Sequence, residues 1–214
     1  MLSKPVLIKN HFTLVLYSLL ALSATSVVAQ NSAPIDGIDA RTDTAELAQK
    51  LADRDPLVRQ RSAEALARLA ATDQIKLVQG YQLEEKNKEV RLALEWALYR
   101  MGKTEFLYRV VQELDSGRQA QAAGYLSELE SPELLYPFLS KTNNPPRVTA
   151  GLVKALGRIG DEKSLPLIEP LRESLQPNVA EAAETAYDEI EKRVSQSSPT
   201  VPGRPRTTGK PEPQ

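Results

Sequence analysis

A twelve-residue pattern of apolar and small residues returns down this chain at intervals near thirty residues. Its first copy reads Val58-Arg59-x-x-Ser62-Ala63-x-Ala65-Leu66-x-x-Leu69. Further copies begin at Val90, Arg118, Val148 and Val179, and the third is the most degraded. A repeat of this length indicates stacked supersecondary units, because one unit alone is too small to bury its apolar stripe. The repeat therefore predicts the fold and leaves the function open.

Each copy of the pattern predicts the second helix of a helix pair. Its apolar residues recur at i, i+4, i+7, i+8 and i+11, which fall on one face of an α-helix. Shorter first helices are predicted over residues 44–52, 73–84, 104–114, 132–140 and 162–175. We expect Pro137, Pro166 and Pro170 to bend these first helices. Gly102 and Gly160 are expected to end helices in the left-handed conformation.

The N-terminal residues have the order of a secretory signal peptide. Lys4 and Lys9 precede an uncharged apolar stretch, and Val27 and Ala29 occupy the positions of a cleavage site before Gln30. Residues 1–29 are therefore predicted to be a signal peptide. The alternative is an uncleaved inner-membrane anchor, although the apolar part is shorter than the roughly 20 residues that span a bilayer.

The remaining chain is predicted to consist of a repeat domain between two polar segments. Residues 30–43 form a flexible lead-in, and residues 44–194 form the repeat domain without strand-like alternation. Residues 195–214 contain five prolines and almost no apolar side chains. Such a tail cannot bury enough surface to offset its ordering entropy, so disorder is predicted. Its net positive charge would allow weak contact with anionic envelope polymers.

The repeat resembles the HEAT repeat. The run from Asp53 to Arg59 is similar to the turn and second helix of that family, and the run from Leu156 to Ile168 is similar to the passage between two repeats. The short period resembles that of HEAT-like proteins of the phycobilisome lyase type. The resemblance implies an all-α fold, a right-handed α-solenoid of about five HEAT-like helix pairs, with the second helices on its concave side. It also implies binding more often than catalysis.

Two arginines occupy equal positions in the first two copies. Arg59 and Arg91 each follow the repeating valine, and Asp55 stands close before the first of them. An aspartate at a helix start paired with an arginine one turn later is expected to help stack the repeats. Later copies replace the arginine with Gln119, Thr149 and Ala180.

Composition limits the chemistry that the chain can carry out. The formal net charge of −1 does not favour nucleic-acid binding, which needs a basic face. Cysteine is absent, and the one histidine, His11, lies in the predicted signal. Catalytic triads and sites with thiolate or histidine ligands are therefore not expected in the mature chain, including the His-Glu iron site of deoxyhypusine hydroxylase. The sequence predicts that the protein is not an enzyme and holds no cofactor or metal.

The positions opposite the buried stripe differ from copy to copy. In the second and fourth copies they bring together an aromatic and basic set, namely Trp96, Tyr99, Arg100, Lys154 and Arg158. Because Trp, Tyr and Arg dominate binding hot spots, this set is the predicted partner-binding site on the concave side. The alternative is that Trp96 packs between repeats over Gly124. Tyr125 falls on the buried stripe and is predicted to belong to the core.

These features predict an exported, non-enzymatic HEAT-repeat scaffold that binds a protein or peptide through its concave face. The expected location is the periplasm or the extracellular space, without nucleic acid as a partner and without a stable membrane span after signal cleavage. Two alternatives stay open. One is a lyase-like accessory subunit, which export and the absence of cysteine disfavour, and the other is a structural spacer in an envelope assembly.

Overall fold

The computed structural model describes residues 39–197, all of which lie in one compact unit. The predicted signal peptide, residues 30–38 of the lead-in and the tail beyond residue 197 lie outside the described residues. Every regular element of the described part is helical, which confirms the all-α prediction. The α-helices are α1 (Asp39–Lys50), α2 (Pro56–Arg68), α3 (Ile75–Glu84), α4 (Lys88–Arg100), α5 (Phe106–Gln112), α6 (Gln119–Leu126), α7 (Tyr136–Leu139), α8 (Pro146–Ile159), α9 (Leu165–Ile168) and α10 (Pro177–Ser197). Short 3-10 helices lie at Thr72–Gln74, Glu113–Asp115, Pro132–Leu134, Glu162–Ser164 and Glu169–Glu173.

The five copies of the sequence pattern form α2, α4, α6, α8 and α10. The caps follow the expected chemistry, because the Asp55 carboxylate accepts a hydrogen bond from the Leu57 backbone N–H. The Asn87 side chain likewise accepts one from the backbone N–H of Val90. The most degraded copy gives the shortest of these five helices, α6, with 8 residues. The second-helix predictions are thus confirmed.

The first helices lie near the predicted segments, but prolines break them instead of bending them. Both α7 and α9 contain only four residues, and their first turns hold Pro137 and Pro166. Pro170 lies in the 3-10 helix that follows α9. Proline lacks the N–H of the helical ladder and its ring clashes with the preceding turn, so a new short helix starts at each proline. The prediction of continuous, bent helices over 132–140 and 162–175 is wrong.

Both terminal helices extend beyond the predicted limits. The first helix begins at Asp39, although the sequence placed its start at Thr44, and α10 continues to Ser197, past Val194. The buried apolar residues at this end of the chain are Ala48 near the end of α1 and Leu51 in the turn that follows it. Polar residues beyond such apolar positions continue a helix without adding apolar periodicity, so the pattern does not reveal where the helix begins.

The core forms where the stripes of neighbouring second helices meet. Helix α2 packs against α4, α6 against α8, and α8 against α10, while α3, α5 and α6 also contact α4. Helix α4 is therefore enclosed, and every residue from Leu92 to Leu98 is buried. Alignment of the repeat copies puts Leu92 and Trp96 opposite the buried stripe of this helix, and Ala150 opposite that of α8, which predicts that all three are exposed. All three placements are wrong, because neighbouring elements cover these positions.

Two glycines were predicted to end helices in the left-handed conformation, and one of them does so. Gly102 has φ of +99°, as expected for a left-handed helix end. Gly160 has φ of −63° instead, and its lack of a side chain serves close packing, since a Cβ there would lie 2.7 Å from Ile190 Cδ1. Ala70, at the position of α2 that corresponds to Gly102, adopts φ of 45°. The left-handed end thus recurs in the first repeat without a glycine.

Arg59 joins the first repeat to the second, but its partner is not Asp55. Its Nε and Nη2 donate to the two carboxylate oxygens of Glu85 over 2.7 and 3.0 Å. Its Nη1 donates to the carbonyl oxygens of Asp53 and Arg54. The hydrogen bonds from Arg59 hold the pKa of Glu85 below its usual range despite burial. The predicted stacking role holds, whereas the predicted Asp55 partner is wrong because that carboxylate caps α2.

Candidate functional site

Three adjacent grooves run along one side of α2, α4, α6, α8 and α10. We call this side the second-helix face, and it is lined at the predicted inner positions by Glu64, Arg68, Ala120, Gly124, Glu128, Lys154, Arg158, Glu181, Thr185 and Glu189. Gly124 lines two of the grooves, as do Lys154 and Arg158. Because successive grooves share residues, an extended ligand could contact more than one repeat.

The groove between α6 and α8 is positively charged. It encloses about 260 Å³, and its cations are Lys154 and Arg158, which lie one turn apart on α8 and are exposed. Small residues form much of its lining, including Ala120 and Gly124. Gly151 completes it, and a Cβ there would lie 2.7 Å from Leu114 Cδ2. No carboxylate of residues 39–197 lines this groove, so it suits an acidic group of a ligand.

The groove between α8 and α10 uses the same two cations against an acidic wall. It encloses about 270 Å³, and Glu181 and Glu189 line it from α10. Its walls approach closely where Gly157 of α8 meets α10, since a Cβ at Gly157 would lie 3.1 Å from Ala186 Cβ. Lys154 and Arg158 therefore lie beside two carboxylates in the groove between α8 and α10, and beside none in the groove between α6 and α8.

Trp96 is a packing residue in this structure, since only 1% of its surface is exposed. Its ring stacks on Tyr125 at a centroid distance of 5.5 Å with 3° between the planes, and on Tyr99 at 5.4 Å. The space beside Gly124 stays open, because a Cβ built there meets no atom within 4 Å. The assignment of Trp96 to the partner-binding set is corrected accordingly. Packing between repeats was the right alternative, with Tyr125 as the partner and not Gly124.

Tyr125 ties the first repeat to the third beside that stack. It is 7% exposed, which confirms its core assignment, and its hydroxyl donates to Glu64 Oε1 over 2.6 Å. Gln121 donates to the same hydroxyl, and Gln60 donates to the same Glu64 oxygen. Burial and the hydrogen bond to Glu64 raise the pKa of Tyr125 well above its usual range. The hydroxyl therefore stays protonated at neutral pH and acts as a fixed donor.

The predicted site residues Tyr99 and Arg100 lie apart from Lys154 and Arg158. They line a small groove at the end of α4 together with Glu130 and Leu134. Arg100 donates to the carbonyl oxygen of Glu128 and lies 3.6 Å from the Glu130 carboxylate. The five predicted residues thus divide into a buried ring, a pair at the end of α4 and a cationic pair on α8. Of the grooves on the second-helix face, the two beside α8 contain that cationic pair.

Sequence reasoning missed a groove on the other layer of helices. It lies between α3, α4 and α5, encloses about 660 Å³ and is lined by Gln82, Leu83, Arg91, Glu95, Tyr108, Arg109, Gln112 and Glu113. A signal was present in the repeat alignment. Glu95 stands on the buried stripe, where three other copies have Ala63, Ala123 and Val153. The fifth copy has Glu184 there, but that side chain is exposed in the terminal helix. A carboxylate at a core position needs a polar partner, and such a partner marks a site more sharply than an exposed aromatic residue does.

Within residues 39–197, no three His, Cys, Asp or Glu side chains are grouped so as to hold a metal ion. In the same part of the chain, no helix has the length and apolar character needed to cross a bilayer.

Eight chains of solved structures match this chain. No family model matches the chain, and no curated protein matches it. A structure of human deoxyhypusine hydroxylase in complex with glycerol matches with 19% sequence identity and a TM-score of 0.29, over 72% of this chain and 75% of that chain. Both proteins are helical. A superposition at this level carries no information about the site.

The match corrects one sequence-based prediction. The chain was predicted not to be an enzyme, and the matched structure is that of an enzyme. That prediction is wrong, because a fold made of helix pairs does not exclude catalysis. It is withdrawn, and the function proposed below does not depend on it.

Proposed function

We propose that this protein is an exported HEAT-like repeat protein, built as a right-handed α-solenoid, that binds a protein or peptide partner on its second-helix face. The thirty-residue period and the five helix pairs support the repeat assignment. The charged, apolar and small-residue order of residues 1–29 supports export to the periplasm or the extracellular space.

The observation that carries the proposal is the continuity of the grooves on this face. Lys154 and Arg158 line both grooves beside α8, and Gly124 connects one of these to the groove over Trp96. A row of grooves that share residues across successive helices fits an extended chain, which can contact several of them at once.

The charges of the groove between α6 and α8 favour an acidic partner segment. Lys154 and Arg158 are exposed, and within residues 39–197 neither makes an ion pair. The small residues between α6 and α8 leave room for a backbone beside them. Acidic side chains from an extended peptide would reach the two cations, while its other side chains would pass over Ala120 and Gly124. The buried Trp96 stack supports the floor of this face without touching the partner.

Tyr99 and Arg100 form the edge of the proposed contact. Arg100 is bound to the third repeat through the carbonyl oxygen of Glu128, so it stiffens the end of α4. Tyr99 is half-buried against Trp96. These two residues are expected to contribute less to binding than the cationic pair on α8.

The test uses an array of nine-residue peptides with Asp or Glu at alternate positions, titrated against the full chain by fluorescence anisotropy. Replacing both Lys154 and Arg158 by Glu is expected to weaken binding by about a hundredfold, since two charge-assisted contacts become repulsive. The exposed Lys76 on α3 gives a matched control, and Lys76→Glu should leave the affinity unchanged. Equal affinities for the double variant and the control would refute the assignment of this face.

A further inference from the structure

The groove between α3, α4 and α5 is separate from the second-helix face and shares no lining residue with it. At about 660 Å³ it is within the size range of small-molecule sites. Its wall combines two arginines, two glutamates, two glutamines and a tyrosine with one leucine. Such a mixture offers both positively and negatively charged groups to a ligand.

A buried carboxylate forms the floor of this groove. Glu95 is 7% exposed, and the equally buried Gln82 donates to its Oε1 over 3.1 Å. Arg109 Nη1 lies 3.6 Å from the same oxygen. Within residues 39–197, Oε2 receives no hydrogen bond, yet every fully enclosed side-chain oxygen of that part has a partner. Oε2 therefore opens into the groove as a free acceptor.

An arginine without an ion-pair partner lies one turn away. Arg91 precedes Glu95 by four residues on α4, so the two side chains lie on the same side of the helix. Both line the groove, and Arg91 forms no ion pair at contact distance with any described residue, although its charge acts on Glu95. Arg109, by contrast, already contacts Glu95 and lies over the Phe106 ring. The groove thus presents one open acceptor and one uncommitted cation close together.

An apolar rim stands beside these two groups. Leu83 is 76% exposed and Tyr108 is 50% exposed, which makes them two of the most exposed large hydrophobic residues of residues 39–197. Both line the groove from opposite helices, α3 and α5. Exposed apolar surface bordered by polar groups is a feature of ligand-binding grooves.

We propose that this groove binds a small zwitterionic ligand with an apolar side chain, of the class of a free α-amino acid or a dipeptide. Glu95 Oε2 accepts hydrogen bonds from the ammonium group, and Arg91 donates to the carboxylate. The apolar side chain covers Leu83 and Tyr108. A simple anion would meet Glu95, and a simple cation would meet Arg91 and Arg109, so a ligand with both charges fits best.

The test is isothermal titration calorimetry of the full chain with L-leucine and, separately, with L-leucyl-L-leucine. One of the two should bind saturably with a dissociation constant on the order of 1 mM or below. A preference for the first probe identifies a free amino acid, and a preference for the second identifies a dipeptide. Glu95→Gln and Arg91→Gln should each weaken binding by about tenfold or more, because each removes one charge-assisted contact. Glu84→Gln, at an exposed carboxylate of α3 outside the groove, should have no effect.

Ligand analogues test the same proposal without any change in the protein. N-acetyl-L-leucine lacks the ammonium group and L-leucinamide lacks the carboxylate, so each should bind at least about tenfold more weakly than L-leucine. The corresponding blocked forms of the dipeptide apply if that probe binds better. Failure of both probes to saturate the wild-type chain, or equal binding of the blocked forms, would overturn the proposal. Retained helical circular dichroism shows that a variant has folded.

Discussion

Glu95 places a buried carboxylate at a position where three other copies of the repeat have apolar side chains, Ala63, Ala123 and Val153, and where the fifth copy has the exposed Glu184. Burial raises the pKa of Glu95 above the usual glutamate range, although Gln82, Arg109 and Arg91 act in the opposite direction. A raised pKa means that the folded chain binds this proton more tightly than the unfolded chain does. Protonation of Glu95 therefore stabilises the fold.

Glu95→Gln should consequently change the pH dependence of stability. The stabilising contribution of protonated Glu95 is fully present below the ordinary glutamate pKa of about 4.3 and is lost as pH rises through the folded-state pKa. The free energy of unfolding of the wild type, relative to the variant, should thus fall as the pH rises from the ordinary glutamate pKa through the raised folded-state pKa. Urea titrations at several pH values measure this difference. A difference that stays constant or grows with pH would contradict the assignment, and Glu84→Gln serves as the exposed control.

Ala70 adopts a left-handed conformation that an L-residue with a Cβ occupies only at a cost of about 1–2 kcal/mol. Ala70→Gly should relieve this strain, while the greater freedom of glycine in the unfolded chain costs about 0.4–1 kcal/mol. We expect a net stabilisation of up to about 1 kcal/mol in urea unfolding. Ala52→Gly, at an exposed turn residue without positive φ, should destabilise the protein instead. If both variants stabilise the protein, or both destabilise it, the result would argue against backbone strain at Ala70.

At the scale of the helix, the second helices were predictable and the first helices only partly so. Helices α2, α4 and α8 have long apolar stripes and capping residues such as Asp55 and Asn87, and each signal is local in the sequence. The break of the first helices at Pro137 and Pro166 depends on whether neighbouring elements support a continuous bent helix. That information is tertiary, so a sequence pattern does not contain it.

The Trp96 stack should contribute strongly to stability because it joins α4 to α6. Trp96→Ala removes a fully buried ring and is expected to lower the free energy of unfolding by about 3–5 kcal/mol. Trp96→Phe keeps part of the stacking and should cost less. Tyr108→Ala, at a half-exposed ring, is a matched aromatic control with a loss below about 1 kcal/mol. Trp96→Ala with wild-type stability would show that the ring is not packed as described.

Arg59 should contribute to stability because its ion pair with Glu85 connects the first two repeats. Its side chain is 17% exposed and that of Glu85 is 9% exposed, so solvent screens this pair less than a surface ion pair. Arg59→Ala leaves Glu85 without its guanidinium and should destabilise the protein by about 2 kcal/mol or more. Arg61→Ala, on the same helix at an exposed position, should stay within about 0.5 kcal/mol of the wild type. Equal losses for the two variants, measured by chemical denaturation, would exclude a special role for Arg59.

At the scale of the whole molecule, the sequence located one half of the candidate site. Lys154 and Arg158 could be placed on the second-helix face because α8 is a regular helix whose period fixes which residues share a side. Trp96 could not, since its burial depends on Tyr125, which belongs to the next repeat. The groove at Glu95 is likewise formed by three helices, which the sequence alone does not bring together. Its only signal in the sequence is the polar residue on a core stripe.

Export is a property of the whole chain and has its own test. Expression of the full chain in a Gram-negative host should give a periplasmic protein whose N-terminal residue is Gln30. Ala29→Asp should block cleavage and leave the precursor in the membrane fraction. An unprocessed wild-type chain in the inner membrane would favour the anchor alternative, and one in the cytosol would refute export.

The central claim is that the partner binds on the second-helix face, and site-specific photo-crosslinking in living cells tests it most directly. Benzoylphenylalanine would replace Ala120 or Thr185 on that face, which leaves both cations in place. Lys76 and Glu169 are exposed control positions on the first helices. The proposal predicts a discrete partner adduct from the first two positions and none from the controls. Adducts from the control positions alone, or equal yields from all four, would contradict it.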